Sequence, residues 1–335
     1  MLLTGITMGC PVGIGPEIIL KYFHSYKPDG TFSPVVIGDL EVLRRNALHF
    51  NISLRCVHWT PGEIPSPGTV PVYNVGNLPS DILRWGEPNR DTGTAMAKYI
   101  EHAVTLARQG KLSGITTCPI SKAALQKAGY SYPGHTEMLA DLVGENQFTM
   151  MLAGDRLRVT LVTIHCGLGA VSANLNTGLV LQRIILTHSS LCSDFNIAKP
   201  KIAVAGLNPH AGEDGLFGPE EREIILPAVQ QARQCGLDID GPFPPDTVFL
   251  KAISGEYDGV VCMYHDQGLI PFKLLHFRDG VNVTIGLSLV RTSVDHGTAY
   301  DIAGQGCATP DSLAAAVEMA AKIAQNRKSY NTNLA

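Results

Sequence analysis

Short apolar runs alternate with amphipathic segments along this chain. Residues 2–8 are mostly apolar and predict a strand. A glycine-rich turn follows, Gly9-Cys-Pro-Val-Gly-Ile-Gly-Pro-Glu17, and then Ile18, Ile19, Leu20 and Tyr22. Pro16 suits the first turn of a helix, and Glu17 its positive end. The turn matches neither G-x-G-x-x-G nor a Walker loop. A tight strand-to-helix turn is favoured over an anion loop. Residues 35–38 predict a second strand, and 40–48 the helix after it. Residues 60–71 carry so many prolines and glycines that they predict a loop. Residues 90–110 predict an amphipathic helix, with Met96, Tyr99, Ile100, Ala103, Val104 and Ala107 on one face. Residues 114–117 predict a strand and 121–128 a short helix. This alternation predicts a parallel sheet over the first 130 residues.

The second half departs from that order. Gly134-His-Thr-Glu137 opens a helix, where free N–H groups favour an anion. Residues 147–152 and 158–164 predict a hairpin around Gly154-Asp155, which makes the sheet mixed. Residues 177–191 and 219–234 predict helices, the second interrupted by Pro227, which should bend it. Residues 201–205 and 260–263 predict buried strands, with Gln267-Gly268 turning the chain after the second. An alanine-rich helix is expected over 311–325.

Three histidines occupy matching places. His165, His210 and His265 each follow a strand-like run, and each has a glycine within three residues. If those strands end on one side, three imidazoles can converge and leave room for substrate or water on a zinc-like ion. Asp246 and Asp266 are candidate orienters of such histidines, or proton acceptors. Lys273 and Arg291 stand among apolar neighbours and point to an anionic substrate. The histidines at 24, 49, 58, 102, 188 and 276 read as surface or packing residues.

Composition narrows the classes. The 335 residues are 45% hydrophobic and 17% charged, with a net charge of -4 and no basic face. This suits a two-lobed globular protein and argues against nucleic acid as a partner. No apolar run approaches the length of a membrane span, and the N-terminus does not read as a signal peptide. The eight cysteines form no C-x-x-C pair and read as reduced, mostly buried thiols of a cytoplasmic protein.

Seven motifs in this order resemble the 4-hydroxythreonine-4-phosphate dehydrogenase family of vitamin B6 biosynthesis along nearly the whole chain. They are Gly13-Ile-Gly-Pro-Glu17, Gly134-His-Thr-Glu137, Gly206-Leu-Asn-Pro-His-Ala-Gly-Glu213, Pro245-Asp-Thr247, Tyr264-His-Asp-Gln-Gly268, Gly280-Val-Asn-Val-Thr284 and Arg291-Thr-Ser-Val-Asp-His-Gly-Thr-Ala299. The resemblance implies two α/β/α lobes like those of isocitrate and isopropylmalate dehydrogenases, with the active site in the cleft between them. Residues 1–130 plus 268–335 would form the first lobe, with the NAD loop. Residues 131–267 would form the second, with metal ligands and dimer contacts. It implies a homodimer whose site draws on both subunits.

By the same resemblance, one divalent metal (zinc, magnesium or cobalt) falls on His165, His210 and His265. The phosphorylated substrate falls on His135, Thr136, Lys273, Asn282 and Arg291. Asp246, Asp266 and Lys273 are the candidate catalytic groups. A looser likeness to the adenosine loop of isopropylmalate dehydrogenases places NAD, or NADP, on His296, Gly297 and Asp301. The implied reaction oxidises 4-phosphooxy-L-threonine to 2-amino-3-oxo-4-phosphooxybutanoate, which loses carbon dioxide to give 3-amino-2-oxopropyl phosphate. Cys10 stands where the family usually has an acidic residue. Cys118-Pro-Ile-Ser-Lys122 and Gly215-Leu-Phe-Gly218 look closer to the branch acting on phosphorylated threonate or erythronate. A threonate or erythronate 4-phosphate dehydrogenase, or a dihydrodiol dehydrogenase, is therefore the alternative. A metal-dependent hydrolase ranks below both.

Overall fold

The computed structural model describes residues 1–334. They divide into two units, Met1–Asn146 with Leu287–Gln325, and Gln147–Gly286 with Asn326 onward. The first unit opens with β1 (Leu2–Thr7), α1 (Gly15–Ser25), β2 (Phe32–Gly38), α2 (Leu40–His49), β3 (Arg55–His58) and β4 (Thr69–Asn74). It continues through α3 (Arg90–Arg108), β5 (Gly114–Thr117), α4 (Lys122–Lys127) and α5 (His135–Val143).

The second unit holds β6 (Thr149–Ala153), β7 (Arg158–Leu161), α6 (Val171–Asn174), α7 (Thr177–Ser193), β8 (Lys201–Ala205) and α8 (Leu226–Gln234). After these come β9 (Asp238–Phe243), α9 (Val248–Ile253), β10 (Gly259–Cys262), α10 (His265–Leu275) and β11 (Val281–Ile285). The chain then returns to the first unit with β12 (Arg291–Ser293) and enters α11 (Asp311–Leu334).

In the first unit the strands run in the order β3-β4-β2-β1-β5-β12, and every pairing is parallel. This is the sheet the alternating pattern predicts. The close approach of β1 and α1 explains the glycine turn between them. A Cβ on Gly15 would stand 2.2 Å from the Met8 carbonyl oxygen. Asp39 caps α2 by accepting from the amides of Glu41 and Val42, and Asn89 caps α3 in a reciprocal pair with Thr92. The apolar face of α3 is buried, as its spacing requires.

In the second unit the order is β11-β6-β7-β10-β8-β9. β6 pairs antiparallel with both β11 and β7, while β7, β10, β8 and β9 run parallel. The mixed character therefore comes from the expected hairpin. β10 is buried on both faces, as parallel strands are. Val261 joins the core under α7 and α8, with Val180, Ile184 and Val229. Val260 and Cys262 join the opposite core, with Phe249, Leu269 and Phe272.

Several details differ from the sequence reading. Residues 69–71 belong to β4, where Val70 and Val72 are buried although Pro71 lies between them. Gln267 and Gly268 lie inside α10 instead of turning the chain. Glycine fits there because a Cβ on Gly268 would crowd Leu161 and Cys262 at 3.0–3.1 Å. Pro227 lies in the first turn of α8, directly after a π-helical stretch over Glu221–Ile225. Four cysteines are buried, not most of the eight; Cys166, Cys235 and Cys307 are exposed in loops and Cys192 is half-buried.

The unit boundaries also fall elsewhere. Residues 131–146 go with the first unit, because Met138 and Leu139 of α5 enter its core. Residues 268–286 go with the second, because Leu269 and Phe272 enter its core and β11 pairs with β6. Beyond Gln325, Arg327 reaches Asp194 of the second unit at 2.6 Å. Among the described residues, no helix is long and apolar enough to cross a membrane.

The tight β1–α1 turn gives a direct test. Gly15→Ala should lower stability by about 2–3 kcal/mol, because backbone and not a movable side chain blocks the new methyl. Urea unfolding of the variant checks this, and an unchanged midpoint would mean the turn has slack.

Candidate active site

Parallel pairing of β7, β10 and β8 puts their carboxyl ends on one side. His165, His265 and His210 follow those ends in turn. The rings of His165 and His265 lie 6.1 Å apart between centroids. His265 is the first residue of α10, and its Nδ1 meets the Asp266 carboxylate at 2.6 Å. That contact fixes the ring and leaves Nε2 for a ligand. Gln267 binds this strand end to the next: its Oε1 accepts from the Met263 amide at 2.6 Å, and its Nε2 donates to the Gly206 carbonyl at 2.7 Å. Thr163 adds a third tie by donating to the Met263 carbonyl at 2.8 Å.

The loop carrying His210 is held in an unusual backbone. His210, Ala211, Glu213 and Asp214 all have φ between 42° and 54°, with Gly212 at 82°. Each non-glycine residue there costs on the order of 1–3 kcal/mol. Buried Glu221 over-determines the turn. It accepts from the amides of Leu207 and Asn208 at 2.7 Å each, and from Asn208 Nδ2 at 2.9 Å. Glu220 accepts from the other Asn208 Nδ2 hydrogen and from Ser172 Oγ. His165 and His210 are exposed and His265 is half-buried. The three histidines do not bring their donor atoms within 4.8 Å of one another among the described residues. Asp246 is exposed just before α9. Lys273 lies in the last turn of α10, and Asn282 on β11 donates to Met150 Sδ at 3.0 Å.

The first unit builds a second group around Arg291. This side chain is only 3% exposed, at the start of β12. Its Nη2 donates to Thr117 Oγ1 at 2.8 Å and its Nη1 reaches Thr136 Oγ1 at 3.5 Å. Burial pulls the guanidinium pKa down to about 10, opposed by the nearby Glu137 carboxylate, so it stays cationic at neutral pH. His135 begins α5 beside it. One ring nitrogen donates to the Cys118 carbonyl, and Nε2 is out of solvent with no partner. Burial, then the Arg291 and Lys122 charges, hold this imidazole well below the usual histidine range.

A cavity of about 150 Å³ opens here, lined by Thr117, Lys122, His135, Ser293, His296 and Gly297 among others. A helix N-terminus, Lys122 and an imidazole around one hollow, with the Arg291 charge close to that imidazole, suit a phosphate. His296 and Gly297, expected to meet the dinucleotide, thus border the same hollow, while Asp301 is exposed further along the loop. That loop is pinned down. Glu17 accepts from the Ala308 amide at 2.9 Å, Lys21 donates to the carbonyls of Gly306 and Ala308, and His49 Nε2 meets the Gly304 carbonyl at 2.8 Å.

A family model described as "Pyridoxal phosphate biosynthetic protein PdxA" matches residues 31–320. The chain belongs to the PdxA family. It is 52% identical over 320 residues to a 4-hydroxythreonine-4-phosphate dehydrogenase of Desulforapulum autotrophicum, covering 95% of this chain and 94% of that one. It is 44% identical over 322 residues to a D-threonate 4-phosphate dehydrogenase of Salmonella typhimurium, covering 95% and 98%. The crystal structure of a 4-hydroxythreonine-4-phosphate dehydrogenase from Klebsiella pneumoniae superposes with a TM-score of 0.89 at 43% identity, over 97% of this chain and all of that one.

Within this PdxA-family chain, the positions that sequence reasoning missed are mostly supports. Glu221 and Gln267 hold backbone around the histidine loops, and nothing in their spacing distinguishes them from solvated residues. Lys122 was visible in the Cys118–Lys122 motif, but only the fold brings it beside His135. Cys10 is buried, its thiol pushed up by burial, and its Sγ accepts from Tyr300 OH at 3.3 Å. A buried thiol packed against the loop thus occupies the position where the resemblance implies an acid.

His135 carries a pH signature. Its pKa is lowered in the folded chain, so the unfolded chain takes up the proton first as pH falls below about 6.5. Stability should therefore drop between pH 6.5 and the lower folded value, with a slope approaching 1.4 kcal/mol per pH unit, about one proton. His135→Gln should flatten that slope in urea titrations across pH 5–7, while an identical slope would show that His135 is solvated.

Proposed function

We propose that the protein oxidises the carbon-bound hydroxyl of 4-phosphooxy-L-threonine with NAD, in the pyridoxal phosphate pathway. The product is the 3-oxo acid, which loses carbon dioxide to give the amino ketone phosphate. The carrying observation is a small hollow lined by His135 and Lys122, with the buried Arg291 charge close to His135, in a chain of this family. Arg291 and Lys122 would clamp the phosphate, and Thr136 would orient the guanidinium. Removing the phosphate from water next to fixed donors positions the reacting carbon. A neutral His135 can take a proton as the dianion arrives, which strengthens the clamp.

The donor set of the histidine loops fits a borderline divalent ion: three imidazoles, one held by a carboxylate, at adjacent parallel strand ends. His165, His210 and His265 would hold that ion, which would supply Lewis acidity to the substrate hydroxyl. Asp266 keeps His265 in the ligating tautomer. Lys273 and Asn282 would complete the substrate site, and Asp246 or Lys273 would receive the hydroxyl proton. His296, Gly297 and Asp301 would meet the dinucleotide. A homodimer, sharing the site between subunits, belongs to this reading.

The relatives acting on D-threonate 4-phosphate share the phosphate but carry a hydroxyl in place of the amine. NADH production should therefore be followed with each phosphate in turn, with zinc, magnesium or cobalt added. The threonine derivative is expected to have the highest kcat/KM. No turnover with any of them would sink the reading, and preference for D-threonate 4-phosphate would move the chain to that branch. Arg291→Ala should raise the substrate KM by about 10–100-fold, the value of a hydrogen bond to a charged group, and leave the NAD KM nearly unchanged. Equal effects on both would contradict the clamp.

A further inference from the structure

In the second unit, the β6–β7 turn and the C-terminal end of α10 meet around His276. This imidazole is 2% exposed. Gly154 lies against one side: a Cβ there would stand 2.6 Å from three ring atoms. The Phe272 ring lies 5.2 Å away between centroids. The ring is therefore locked. Its Nδ1 meets Asp279 Oδ2 at 3.0 Å. Its Nε2 faces Asp155 Oδ1 at 3.6 Å and has no hydrogen bond.

That second distance is too long for a hydrogen bond. It is close to the separation of two ligands on one ion, roughly 3.0–3.4 Å when each bond is near 2.1 Å. One donor atom from each of Asp155, His276 and Asp279 lies within 4.8 Å of the others. His276 also caps α10, where unpaired carbonyls favour positive charge. Both carboxylates are well exposed, so they can adjust while the buried ring stays fixed. Arg158 lies within electrostatic reach of Asp155, but it is engaged by the Asp258 carbonyl at 3.2 Å and the Phe195 ring at 4.8 Å.

We propose that Asp155, His276 and Asp279 form a divalent-cation site separate from the three histidine loops. Nε2 and the Asp155 carboxylate are the direct ligands. Asp279 accepts from Nδ1–H and orients the ring, as carboxylates do around metal-bound histidines. Water fills the remaining positions. Imidazole and carboxylate donors suit Mn2+, Zn2+ or Co2+. The bound ion would pin the hairpin turn to the end of the helix that begins at His265.

Manganese titration of the metal-stripped full chain, with free Mn2+ read by electron paramagnetic resonance, tests this. His210→Ala supplies a background in which the histidine loops are disabled. In that background Mn2+ should still bind and raise Tm, and adding Asp155→Asn should weaken binding at least tenfold and abolish the Tm rise. Asp155 is exposed, so this variant spares the packed ring; His276→Gln should behave alike. Unchanged Mn2+ binding in the Asp155→Asn background overturns the site. So does the absence of Mn2+ binding in the His210→Ala background. Neither outcome bears on the dehydrogenase reading, which is scored by NADH.

Discussion

Parallel strand pairing is the constraint on which both units depend. A parallel strand cannot turn straight back, so each must hand its chain to a loop at the same side as its neighbours. In the second unit this gathers the loops after β7, β10 and β8, and with them His165, His265 and His210. In the first unit it sets Thr117 at the end of β5 beside Ser293 at the end of β12, two residues along the strand from Arg291. Chemistry-bearing residues far apart in sequence become neighbours without any local motif.

Strand ends alone leave loops free to wander, and both units add fixed supports. Glu221 satisfies two amides and a side-chain amide next to a run of left-handed residues. Gln267 spans two strand ends with one side chain. In the first unit, Glu17 and Lys21 hold the backbone near Ala308. These groups are buried or half-buried and hydrogen-bonded to backbone of the loops they hold, which marks them as scaffold. His135 Nε2, by contrast, is buried with no hydrogen-bond partner and belongs to a residue lining the hollow.

The legibility of the chain follows from this division. The parallel first unit could be read because its helices are amphipathic and its strands short and apolar. The hairpin could be read because Gly154-Asp155 separates two apolar runs. The three histidines stood out because each follows such a run. Edge strand β3 could not be read, since Arg55 and His58 break its apolar pattern. α10 was misread at Gln267-Gly268, because glycine there serves helix–strand contact, which one sequence cannot show. Lys122 and Glu221 gain their roles from tertiary neighbours alone. The dehydrogenase chemistry came from the ordered motifs, not from periodicity.

α10 joins these threads. It begins at His265, carries Lys273 in its last turn and is capped by His276. At 1.5 Å per residue, His265 and Lys273 stand roughly 12 Å apart along a rigid rod. Asp266 holds the first end, and Asp155 and Asp279 surround the other. Pro271 removes one N–H from its interior, so the rod depends on Leu269 and Phe272 packing under it and on fixed ends. Inserting one residue would turn everything beyond it by about 100° and carry Lys273 off its face. The spacing from His265 to His276 is therefore under tighter constraint than the surface exposure of Ile270, Leu274 and Phe277 would suggest.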